Sequence, residues 1–189
     1  METMRKMKHI LLENESNILD HLDIIQYEQH SHLRKSLHEI KHVIDLAMHE
    51  GEPSMSLVKC REIFLELNEE IEVHFKEEED VLFPLIRKME KENCCTNSEG
   101  NTLEAMVHVL EYENNHSGAA LEKLKDACLQ YSECRKSFEH YNKLMELLRD
   151  FESDLRAHAN NETVYLYPAA IRKEKILRFL PSNSPIRDS

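Results

Sequence analysis

An up-down-up-down bundle of four α-helices is the fold this sequence predicts, and three observations predict it. Apolar residues recur at helical spacing along nearly all of the 189 residues, with no strand-like alternation of any length. Only three glycines and five prolines interrupt the chain, against roughly 13 and 9 at average usage, which disfavours turn-rich sandwiches and barrels. The second half also repeats the first at an offset of 84 residues, as expected of one helical hairpin used twice.

The first helix carries a seam of Leu19, Leu22, Gln26, His30, Leu33, Leu37, Ile40 and Ile44, and stops near the Glu50-Gly51-Glu52-Pro53 break. Ser54 or Ser56 caps the second helix, whose seam is Cys60, Ile63, Leu67, Ile71, His74, Glu78, Val81 and Leu85. Asn93 to Gly100 is a polar loop. A third helix from about Thr102 to Leu129 presents Leu103, Val107, Leu110, Asn114, Ser117, Leu121, Leu124 and Cys128. A fourth, from about Cys134 to Lys175, presents Leu144, Leu147, Phe151, Leu155, His158, Glu162 and Tyr165. The bundle is thus expected over 16–175, with an extension at 1–15 and a flexible tail at 176–189.

Composition narrows the function. A net charge of −12 argues against tracking nucleic-acid phosphates. No apolar run approaches the roughly 20 residues of a membrane span. The basic start, Met1 to Lys8, is not followed by a cleavable apolar segment, so a secretory signal is not expected. Five cysteines, odd in number and without CxxC spacing, suit free thiols in a reducing cytoplasm. The adjacent Cys94 and Cys95 are open to a redox or metal role, or to none.

Twelve histidines are the anomaly. The repeat pairs His74 with His158, Glu78 with Glu162 and Pro84 with Pro168, in the blocks HFKEEEDVLFP and HANNETVYLYP. Residues four apart share a helix face, so each His–Glu couple is a two-donor clip, and each lies on an apolar seam. Polar and charged groups aimed into a core are costly unless compensated, and a cation compensates them. Two facing clips, each with a carboxylate that can bridge, are how helical bundles hold pairs of metal ions. Donors without thiolate suit Fe or Mn, with Zn possible. His30 extends the first seam and is the next candidate ligand. Glu70 and Asp154, one turn before the histidines, are placed to orient an imidazole. His9, His21, His32, His38, His42 and His108 fall off the seams. His140 faces inward but lies about 27 Å along the axis from His158, too far to share its site.

The order His…HxxxE-x-x-V-L-F-P…HxxxE-x-x-x-L-x-P resembles the hemerythrin-like (HHE cation-binding) domain, and within it the bacterial repair-of-iron-centres di-iron proteins. The resemblance covers about residues 16 to 172. It implies a four-helix bundle around two non-haem irons, with His30, His74 and His158 as terminal ligands and Glu78 and Glu162 as bridges. It also matches His49 to a further histidine that some members carry near the site. The third helix departs from the family pattern E-H-x-x-x-G-x-x-L, because this chain has E-N-N-H-S-G-A-A-L. The repeat and the periodicity place Asn114 at the ligand position. The repeat equally maps His32 onto His116, and a distortion at Ser117-Gly118 would turn His116 inward instead. With Asn114 inward, one of the two metal positions is weakly ligated.

Two classes of function follow. One is a non-haem di-iron protein of the stress response that binds or processes O2, NO or peroxide, or supports repair of iron–sulfur proteins. The other is a metal-responsive sensor or interaction module whose site holds one metal or none. The sequence leaves the choice, the metal and the oligomeric state open.

Overall fold

The computed structural model describes residues 18–49, 53–93, 102–134 and 139–179. Among these, all regular structure is helical. Four rods result. The first joins α1 (Ile18–Asp23), a π-helical segment π1 (Ile24–Gln29) and α2 (His30–His49). The second joins α3 (Met55–Glu77), π2 (Glu78–Leu82) and α4 (Phe83–Glu92). The third is α5 (Leu103–Cys134), and the fourth joins α6 (Glu139–Asn161), π3 (Glu162–Leu166) and α7 (Tyr167–Phe179). Closest packing is of α2 on α6 and α3 on α5, with α2–α3 and α5–α6 completing the ring. This is the expected four-helix bundle.

Local signals explain the ends. The Ser54 side chain accepts from the backbone N–H of Leu57 at 3.2 Å and starts α3. Thr102 does the same for Ala105 at 3.1 Å. The buried Glu174 adds a cap from across the bundle, accepting from the N–H of Leu103 at 3.0 Å. Asn93 ends α4 in the left-handed conformation, at φ 49°. The N-terminal extension, the Gly51 break, Cys94 and Cys95, and residues 180–189 of the expected tail lie outside the described residues, while its first four residues continue α7 to Phe179.

Two apolar clusters fill the bundle. One, with Leu37, Phe64, Leu124 and Phe151, lies toward the α2–α3 turn. The other, with Leu22, Phe83, Val107 and Tyr167, lies toward the opposite end. Between them sits a buried polar layer of Gln29, His30, His74, Glu78, His158 and Glu162. Cys60 and Cys128 are free thiols in the first cluster, with Sγ atoms 2.6 Å apart.

The predicted seams hold along α2, α3 and α5 but slip after Glu78 and Glu162. Val81, expected inside, is half exposed, and Tyr165 is only partly covered. Leu82, Phe83, Leu166 and Tyr167 are buried instead. The cause is the two π-helical segments, each of which widens one turn and moves the inward face on by about one residue.

Removing the Glu174 cap should cost about 1–2 kcal/mol, because a buried N–H at the start of α5 loses its acceptor. Denaturant unfolding of Glu174→Ala against the parent chain measures this.

Candidate metal centre

Three of the rods bring side chains to the polar layer at positions marked by π segments. π1 ends immediately before His30, π2 begins at Glu78 and π3 begins at Glu162. Such single widened turns recur at functional sites because they re-aim side chains that a regular helix would hold in one register. Here they let the carboxylates of Glu78 and Glu162 enter one layer with the imidazoles.

One potential ligand atom from each of His30, Glu78, His158 and Glu162 falls within a set whose members all lie within 4.8 Å of one another, and all four residues are buried. His30 Nε2 is 3.2 Å from Glu78 Oε2, and His158 Nε2 is 3.1 Å from Glu162 Oε1. His74 Nε2 stands 3.7 Å from the same Glu78 oxygen, Oε2. On the third rod it is Asn114 that reaches the layer, its Nδ2 donating to Glu162 Oε2 at 3.0 Å. His116 does not reach it. α5 runs through Ser117 and Gly118 without distortion, and the His116 side chain is more than half exposed, 3.6 Å from Glu70 on the neighbouring rod.

Each imidazole is oriented through its other nitrogen. His30 Nδ1 donates to Glu79 Oε1 at 2.7 Å, His74 Nδ1 to Glu113 Oε2 at 3.0 Å and His158 Nδ1 to Gln29 Oε1 at 3.2 Å. With Nδ1 carrying the proton, each Nε2 presents a lone pair inward. Glu78 is held in turn by Tyr167, whose hydroxyl donates to Oε1 at 2.6 Å. Phe75 stacks on His30 at 4.0 Å between centroids, and Phe83 lies 5.7 Å away, shielding the ring from water.

Glu70 and Asp154 do not orient these imidazoles. They pair with His116 and His32 near the surface, the latter at 2.9 Å. His49 is exposed and donates to the Asp45 carbonyl at 2.6 Å. It sits about 28 Å along the rod from His30. His32, His38, His42 and His108 are exposed as their off-seam positions imply. His9 lies outside the described residues. The orienting groups Gln29, Glu79, Glu113 and Tyr167 escaped the sequence reading, although one signal was available: the 84-residue offset maps Gln29 onto Glu113, next to His30 and Asn114.

The donor atoms fit a cation. His30 Nε2, His74 Nε2, His158 Nε2, Glu78 Oε2 and Glu162 Oε1 are all buried, and none has a hydrogen-bond partner. Lone pairs facing lone pairs out of water are costly. A bound cation would satisfy such atoms, and those of His30, Glu78, His158 and Glu162 lie close enough together to share one. Without one, protons must serve. Burial pushes the Glu78 carboxyl up to about 7, against the opposing hydrogen bond from Tyr167. Burial and then the Glu78 charge push Glu162 well above the carboxylate range. Burial holds His158 and His30 below the usual imidazole value, for His30 against the hydrogen bond to Glu79.

An antiparallel helical bundle with imidazoles and carboxylates gathered in its middle defines a class: the cation-binding four-helix proteins. The hemerythrin HHE cation binding domain matches residues 21–170 of the chain, and the protein belongs to that family. No curated protein matches it.

The raised Glu78 carboxyl gives a pH signature in the metal-free protein. Protonation of Glu78 stabilises the fold fully below the ordinary carboxyl value near 4.5, and this contribution is lost as pH rises through about 7. Metal-free Glu78→Gln should therefore gain about 2–3 kcal/mol relative to the parent between pH 5 and pH 8. Comparing the two chains at each pH cancels the opposite contribution of the buried imidazoles. Chemical unfolding in the presence of a chelator is the measurement.

Proposed function

We propose that the chain is a non-haem iron protein whose bundle holds two unequal metal positions and admits O2, NO or peroxide to them. The observation that carries this is the set of five buried, unpartnered donor atoms, three of them on imidazoles already fixed in the ligating tautomer. Mixed imidazole and carboxylate donors without thiolate favour Fe, with Mn or Zn as competitors.

The duplication supports the inequality. His30 and His158 stand together at one edge of the two carboxylates, ring centroids 5.0 Å apart. The offset of 84 turns that pair into Asn114 and His74 at the other edge. One position would thus be held by two imidazoles plus Glu78 and Glu162, and the other by His74, a neutral amide and the same carboxylates. Bound iron would supply the one-electron chemistry that small oxidants and NO require. The protein's own part is to hold the donors, to exclude water with Phe75, Phe83 and Tyr167, and to keep the protons on the imidazole Nδ1 atoms by giving them Glu79, Glu113 and Gln29 as acceptors. A role in restoring iron–sulfur proteins, in the cytoplasm and under stress, belongs to the same reading, as does likeness to the repair-of-iron-centres members.

A second reading, a metal-responsive sensor or interaction module holding a single ion, draws on the same Asn114. Anaerobic titration with Fe(II) separates them. Two equivalents, the first tight and the second weak, support the pair; one equivalent with a metal-dependent partner and no turnover supports the sensor. Asn114→His should tighten the second equivalent at least about tenfold, the usual scale of a lost or gained supporting ligand. If His116→Ala releases metal while Asn114→His changes nothing, the assignment of the third rod is wrong. Glu113→Gln should keep metal affinity, because Gln29 does the same task for His158, whereas Glu113→Ala should lower it about tenfold. Metal analysis after gel filtration reads both.

A further inference from the structure

The two halves differ just outside the centre. In the first half Arg34 lies over the Phe75 ring, its guanidinium carbon 5.2 Å from the centroid. It donates to Glu79 at 2.7 and 3.1 Å and to Glu72 at 3.0 Å, and Glu79 accepts from His30. These side chains close the surface over His30, which is fully buried. The 84-residue offset sets Gly118 where Arg34 stands, Ala159 where Phe75 stands, Thr163 where Glu79 stands and Asn114 where His30 stands. Each of these four is replaced by a smaller residue, whereas Glu72 has Arg156 as its counterpart, which turns to Glu152 at 2.8 Å.

The result is a groove of about 790 Å³ between α5 and the α6–π3 rod, lined by Asn114, Gly118, Ala159 and Thr163 among others. A Cβ at position 118 would meet nothing within 4 Å, so the groove is open there. Thr163 turns its hydroxyl back to the Ala159 carbonyl at 2.8 Å rather than across the gap. Asn114 bridges groove and centre, lining the one and bonding Glu162 in the other. The groove therefore ends one side chain from the carboxylates, on the edge with one imidazole fewer. Its walls include Leu121 and Leu155, and its charged members are Glu111, Glu122, Glu152 and Arg156. Lys125 and Arg156 each pair with Glu152 at 2.8 Å and reach Glu122 at 3.4 and 3.5 Å, so three carboxylates stand against two cations, a balance that disfavours anions.

We propose that this groove is the port by which small uncharged molecules reach the metal position beside His74 and Asn114, and that Gly118, Ala159 and Thr163 keep it open. The proposal rests on the two-position reading of the centre. Gly118→Arg with Thr163→Glu rebuilds the Arg34–Glu79 plug in the second half, and Ala159→Phe is an independent way to fill it. Nitric oxide is the probe, its association with the anaerobic Fe(II)-loaded chain followed by stopped flow. Both plugged forms should bind it at least about tenfold more slowly than the parent at equal iron content. A second readout needs no metal. In a metal-free Ala159→Cys chain, N-ethylmaleimide labelling of that cysteine, located by peptide mass spectrometry, should slow by a similar factor when Gly118→Arg and Thr163→Glu are added. Unchanged nitric oxide rates at equal iron content overturn the port, even where labelling slows. Unchanged labelling overturns it as well. A parent chain that takes up no iron overturns the centre itself, a result that metal analysis distinguishes from either.

Discussion

Five buried atoms that can only accept, three imidazole nitrogens and two carboxylate oxygens, are turned toward one another in the middle of this bundle. Among the described residues, no second group of histidines, cysteines and acids is placed to hold a metal ion. Lone pairs facing each other out of water must be neutralised by protons or by a cation, and the raised carboxyls and lowered imidazoles are the proton form of that demand. The apolar clusters on either side, from Phe64 and Phe151 at one end to Phe83 and Tyr167 at the other, make the layer costly to leave unfilled.

The geometry of the layer comes from interruptions of regular helix. A continuous α-helix turns four residues into slightly more than one turn, so a seam drifts steadily. π2 and π3 each add a residue exactly where a carboxylate must enter, and the apolar face resumes one residue later, at Leu82 and Leu166. The widened turns are thus tied to the site, and the displaced seams beyond them are its structural cost.

Duplication explains both the symmetry of the centre and its failure. Gln29 and Glu113 perform one task, as do His32–Asp154 and His116–Glu70 near the surface. Against that background the substitutions stand out as a group: Asn114 for His30, Gly118 for Arg34, Ala159 for Phe75, Thr163 for Glu79. His30 and the side chains over it have changed together, and in the second half a groove reaches Asn114.

Helix number, the up-down-up-down order and the polar positions His30, His74, Glu78, His158 and Glu162 were legible in the sequence. They depend on periodicity and on a repeat, and both are properties of order along the chain. Periodicity pointed to Asn114 but left His116 open, and the undistorted α5 of the structure sets Asn114 inward. Val81 and Tyr165 were misplaced because nothing in residue order announces a π turn; its extra residue is stabilised by tertiary placement of Glu78 and Glu162. The partners of the imidazoles were likewise decided by packing. Glu113, Gln29 and Glu79 reach them from other rods, whereas Glu70 and Asp154, near in sequence, lean outward to the neighbouring surface histidines. Spacing along one helix tells which residues share a face, but which neighbour's side chain meets that face depends on how the rods are set against one another, and that only the folded bundle determines.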